Sequence, residues 1–285
     1  MRDSWRSHSP PRKDDSMITT DLDFQKTPIL LKLDKRIFDS LDLDSIQLPL
    51  TLHLMTQQCF SYMTNKTTIN TTPEILYLEM LSSNKTTTDA RTRNKVLDAL
   101  GYLWSKQFIK IDIREIQWNS KIEIDAKELF HKNNEPYLSI KADEFMTITK
   151  QFGVKSSKPI VAYMNIRSYF NWEDIYFLKN EYLDKGILPP LHDLTTSGDW
   201  HVACYATLQT LASKPYNNAK ETKWITSKTL SNYIHKLDEL NIISIVTIQT
   251  TDTTINYYCL PQYKEMIRIL AERKSKQIQY SIDNQ

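Results

Sequence analysis

Hydrophobic spacing is sharpest between Thr226 and Tyr258. There Leu230, Ile234 and Leu237 fall at i, i+4 and i+7, with Tyr233 and Leu240 flanking the stripe, which predicts an amphipathic helix. At 3.6 residues per turn its opposite side carries Lys228, Asn232, His235 and Glu239, with Lys236 beside them. Thr226 or Ser227 offers a side-chain oxygen to cap the helix start. Beyond it Ile243, Ile245 and Ile248 read as a strand, and Ile255–Leu260 as its return across a Thr-rich turn.

The same pattern runs through the earlier chain. Pro28–Leu33 predicts a short strand, Ile37–Leu41 a turn of helix, and Pro49–Met63 a longer helix. A Thr/Asn loop, Asn65–Thr72, leads to a helix over Pro73–Leu81 that starts on proline, a residue favoured at the first helical position. After the loop Ser82–Thr87, the segment Thr88–Trp104 has an apolar side of Val96, Leu97, Leu100, Leu103 and Trp104, with Arg91, Asn94, Lys95 and Asp98 facing away. Phe108–Ile113 and Trp118–Ile124 predict a hairpin.

Residues 136–170 restart this order. A shift of 107 positions brings Leu31 onto Leu138, Leu33 onto Ile140 and Phe38 onto Phe145. A shift of 134 brings Asn94 onto Lys228, Leu100 onto Ile234, Leu103 onto Leu237 and Phe108 onto Ile242. The change of shift places an insertion in the second copy between Asn171 and Trp200, where Pro189-Pro190 and Ser197-Gly198 mark loop. A duplication of this period predicts two domains, 27–135 and 136–262 with the insertion near 171–200. A disordered leader, 1–26, precedes them, and a C-terminal helix or tail, 263–285, follows; that tail is a candidate for dimerisation or partner docking, or simply a solvated final helix.

Composition narrows the chemistry. A 40% hydrophobic and 25% charged chain of 285 residues has the profile of a folded soluble protein, and a net charge of +2 allows a local basic patch on a near-neutral body. Its four glycines, Gly101, Gly153, Gly186 and Gly198, do not fit a phosphate-binding glycine loop. The six histidines lack H-x-H and H-E-x-x-H spacing, and Cys59, Cys204 and Cys259 form no C-x-x-C pair, so we expect no metal and no other cofactor. Nothing sets a nucleophile beside a base, which predicts a non-enzyme. No run of about eighteen apolar residues and no signal-like leader occur, so a cytoplasmic protein away from membranes is expected.

The remaining signal is two helices with basic and amide faces. Arg91, Arg93, Asn94 and Lys95 on the first, and Lys228, Asn232, His235 and Lys236 on the second, are residue types suited to phosphates and base edges. Ser227 and Thr229 suit phosphate contacts at the helix start, and Lys223 adds positive charge just before it. Lys121, Thr251 and Thr253 lie at the two hairpin tips. Trp104, Trp118, Tyr233 and Tyr257 fit core or hairpin packing better than base stacking.

The stretch Ala203–Ala212, a gap, then TSKTLSNYIHKLDELNII (Thr226–Ile243) resembles the second helix and recognition helix of winged-helix DNA-binding domains in bacterial and mobile-element proteins. Here Ser213–Trp224 expands the intervening turn, and Asp89–Leu97 stands at the corresponding place in the first copy. The resemblance implies an α+β, helix-rich fold of two winged-helix domains in tandem, each a helix-turn-helix with a β-hairpin wing. Tandem winged helices look like plasmid replication initiators and phage or plasmid replisome organisers. That resemblance implies sequence-specific binding of double-stranded DNA at a repeated or bipartite site, host replication proteins as partners, and a possible homodimer. A transcriptional regulator at an operator, and a protein-interaction module of a replication or transfer complex, remain the alternative roles.

Overall fold

Strict alternation opens the fold. In β1 (Leu30–Asp34) Leu31 and Leu33 are fully buried while Leu30 and Lys32 face out. The computed structural model describes residues 29–81, 89–112, 115–132, 137–170, 203–205, 207–213, 226–249 and 254–283, and over them the chain is helix-rich α+β. The expected leader 1–26, the insertion near 171–200, Lys223, Thr251 and Thr253 lie outside the described residues.

Asp34 ends β1 and caps α1 (Lys35–Ser40), accepting from the Arg36 amide at 2.8 Å and its Nη2 at 2.6 Å. Burial alone raises the pKa of the Asp34 carboxyl, but the Arg36 hydrogen bonds and charge outweigh it and hold the group below its usual range. The next helix, α2 (Gln47–Met63), buries Leu48, Leu50, Leu52, Leu54 and Met55, which point to several sides of the helix, so it runs through the core. Its buried Thr51 and Thr56 hydroxyls donate back to the carbonyls of Gln47 and Leu52, leaving neither donor without a partner in an apolar setting.

A three-residue strand, β2 (Ile69–Thr71), follows inside the segment expected to be plain loop. Three residues are too few for alternation to register in the sequence. Gln58 of α2 explains its place: its Nε2 donates to Thr67 O at 2.9 Å, just before β2, and its Oε1 accepts from Ala126 N at 2.9 Å, tying one end of the first sheet to the helix. Then come α3 (Pro73–Leu81), α4 (Ala90–Ser105), β3 (Lys110–Ile111) and β4 (Ile122–Asp125), with the sheet in the order β2-β4-β3.

The second half repeats this. After β5 (Tyr137–Lys141) and α5 (Ala142–Phe152), the latter closed by Gly153 at φ 59°, a conformation that favours glycine, come α6 (Ser157–Ser168) and β6 (Ala203–Tyr205). Then follow α7 (Leu208–Ser213), α8 (Ser227–Glu239), β7 (Ser244–Gln249) and β8 (Thr254–Cys259), with the sheet in the order β6-β8-β7. Ala203–Tyr205 is therefore a strand, not the start of a helix as its resemblance implied. It hydrogen-bonds along β8, so tertiary pairing overrides helix-compatible residues.

The final helix, α9 (Lys264–Asp283), lies against β7 and β8 with Met266, Ile267 and Ala271 buried. The beginning of the segment considered for a tail or partner docking is thus part of the core of the second half. The two halves are joined by β1 and β5, an antiparallel pair with Leu31 opposite Ile140, Lys32 opposite Ser139 and Leu33 opposite Leu138.

Candidate nucleic-acid interface

Helices α4 and α8 stand at the same place in the two halves, each preceded by a short helix and followed by the last two strands of a three-stranded sheet. Their inner faces are set by burial. Val96, Leu100 and Leu103 of α4, and Leu230, Ile234 and Leu237 of α8, are at most 1% exposed. Both helices end on the same turn. Gln107 and Asn241 adopt positive φ (59° and 56°), and the amides of Phe108 and Ile242 reach back to the carbonyls of Leu103 and Leu237 at 3.0 and 2.9 Å. The 134-residue shift is therefore the structural equivalence at this turn.

With the C-terminal turns matched, α4 extends further at its start, 16 residues against 13. That is about 4.5 Å of additional helix at 1.5 Å per residue. The added turn carries Arg91, and the neighbouring turn Arg93, Asn94 and Lys95; all four side chains are exposed. Arg93 is held in place, its guanidinium 5.8 Å from the Trp118 ring at the hairpin, and that ring in turn meets Tyr77 at 6.0 Å. Trp118 is thus hairpin packing, as its sequence context suggested. Lys121, at the foot of β4, is exposed on the same hairpin.

On α8, Ser227, Lys228, Asn232, His235 and Lys236 are exposed and Thr229 is half-buried. Lys236 departs from the others: its ammonium lies 5.8 Å from the Phe152 ring, and Phe152 also meets Tyr233 edge-on at 6.2 Å. At the equivalent position of α4, Tyr102 donates its hydroxyl to Ser40 O at 2.5 Å. This position looks toward α1 or α5, so Lys236 is held beside the outward face. The roles of Tyr102, Phe152 and Trp118 depend on partners far away in the sequence, which helical phase alone does not reveal.

The helix starts also differ. Asp89 caps α4, accepting from the Thr92 amide at 2.8 Å and its hydroxyl at 2.9 Å, and these bonds hold its carboxyl below its usual pKa. Thr226 caps α8, accepting from the Thr229 amide at 3.2 Å, with the two hydroxyls 3.0 Å apart. A carboxylate at a helix start repels a phosphate, whereas a hydroxyl leaves the positive end of the helix dipole open to one. The outward side chains of Arg91, Asn94, Lys95, Lys228, Asn232 and His235 make no hydrogen bond or ion pair among the described residues.

Among the described residues no cluster of three or more His, Cys, Asp or Glu side chains is placed to hold a metal ion, and no helix is long and apolar enough to cross a membrane. No protein family, curated protein or solved structure matches this chain.

Proposed function

We propose that this chain binds double-stranded DNA sequence-specifically and without catalysis, through two tandem winged-helix domains spanning 27–135 and 136–262. One observation carries the reading: a polar-faced helix followed by a hairpin occurs twice, each time in a sheet whose first strand pairs beside the last. In that arrangement α4 and α8 enter the major groove and the β3–β4 and β7–β8 hairpins reach the backbone. Arg91, Asn94 and Lys95 face one half of the site, and Lys228, Asn232 and His235 the other. Replication initiation or organisation on a plasmid, phage or integrative element is the role that a tandem pair favours.

The test is an affinity measurement on the full chain over a salt series. Binding should fall linearly in log–log form as phosphate contacts release counterions. Salt-independent affinity that survives Lys228→Ala and Asn232→Ala would replace the DNA reading with the protein-interaction one. Sites clustered as repeats beside an AT-rich region mark an initiator, and a site overlapping a promoter marks a regulator.

A further inference from the structure

The β1–β5 pair carries more information than a link between halves. Leu31, Lys32 and Leu33 correspond to Leu138, Ser139 and Ile140 under the 107-residue shift, and the register pairs Leu31 with Ile140 and Leu33 with Leu138. Exchanging the two halves turns each of these pairs into the other and leaves Lys32·Ser139 on itself. A local two-fold axis therefore passes through Lys32·Ser139.

The axis extends beyond the ribbon. The equivalent helices α2 and α6 touch each other, and each half also reaches across to the other. In one direction α2 packs on α5. In the other, the start of α6 meets Asp44 and Ser45, through a Lys158–Asp44 ion pair and a 2.7 Å bond from Ser157 Oγ to Ser45 O. Residues 44 and 45 correspond to 151 and 152, the end of α5. Each outward-facing helix then packs on the central helix of its own half, α4 on α2 and α8 on α6. The two-fold relation is thus passed from the ribbon to the central helices and on to α4 and α8.

We infer that a single chain presents α4 and α8 in opposite senses, and so reads a site whose two half-sites are inverted with respect to each other and different in sequence. This rests on the DNA-binding reading above. Two-fold symmetry in a bound protein is mirrored by inverted half-sites in its DNA. The sequence difference follows from the faces, since Asn94, Asp98 and Gly101 stand where α8 has Lys228, Asn232 and His235. One chain then imitates a symmetric dimer while recognising an asymmetric site, and it lies on that site in one direction only.

Site-directed DNA cleavage tests the orientation. The site is first selected from a random duplex library with the full chain. Single cysteines are then introduced at the first residue of each helix, Ala90→Cys and Ser227→Cys, and at equivalent positions of the hairpins, Ser120→Cys and Thr254→Cys, in a Cys59→Ser background. Each carries a tethered iron chelate, and its cuts are mapped along the site. The expected order is mirror-like, helix–hairpin–hairpin–helix or hairpin–helix–helix–hairpin. A serial order, helix–hairpin–helix–hairpin, overturns the inverted arrangement while DNA recognition stands. Failure to select any preferred duplex overturns both readings.

Discussion

Helices α4 and α8 close on the same turn, sealed by the amides of Phe108 and Ile242, yet along their outward faces Asp98 and Gly101 stand where α8 carries Asn232 and His235. The shared part is the part under burial: Leu103 and Leu237 have no exposure, and a change of volume there is felt throughout the packing. The differing part faces away from the core, where substitution leaves the fold intact and alters only what the surface can bind. The first half gathers its cations at the helix start, from Arg91 to Lys95, whereas the second distributes its polar groups along the helix from Lys228 to His235. Two copies of one architecture thus present two chemistries.

The largest expected effect tests the shared part. Leu103→Ala and Leu237→Ala each should cost about 2–5 kcal/mol in denaturant unfolding, and to a similar extent, because each leaves a cavity at the same place in its half. A loss confined to one of them would end the equivalence of the two helices. Next come the outward faces. Asn232→Ala should weaken specific DNA binding by roughly 1–3 kcal/mol, measured as the affinity for a selected duplex against a mismatched one. Asp98→Asn should strengthen DNA binding instead, because it removes an anion from the equivalent position. A weakening by Asp98→Asn would show that the two faces are not used alike.

Smaller effects separate the caps. Thr226→Ala should destabilise by about 1 kcal/mol through loss of the bond to the Thr229 amide, read in thermal unfolding. The Asp89 cap should in addition respond to acid. Its folded pKa lies below the usual carboxylate value, so its contribution is present above that value and is lost as pH falls through the depressed one. The Thr92 amide resonance should shift over that acidic window while the Thr229 amide, capped by a hydroxyl, should not.

The helices and the order of elements were legible because periodicity is local. Leu230, Ile234 and Leu237 announce a helix without reference to anything else in the chain. What depends on distant partners was not legible. β2 is three residues that become a strand only beside Ile122–Ile124, and Ala203–Tyr205 takes strand form only along β8. The candidate site divides in the same way. Exposure of Lys228, Asn232 and His235 follows from helical phase alone, whereas the diversion of Lys236 to Phe152 requires α5 to be packed nearby. The burial of Met266 and Ile267 likewise needed the β7–β8 sheet beneath α9.

The Lys32·Ser139 pairing also sets an order of events during synthesis. When β1 leaves the ribosome its hydrogen-bonding partner has not been made, and at roughly 5–20 residues per second the strand waits on the order of ten seconds for β5. α2, α3 and α4 have by then emerged and can assemble locally. The local contacts among these helices are therefore available before the opening strand is closed, while the faces of α2 and α3 that meet α5 stay open together with the strand edge for that interval.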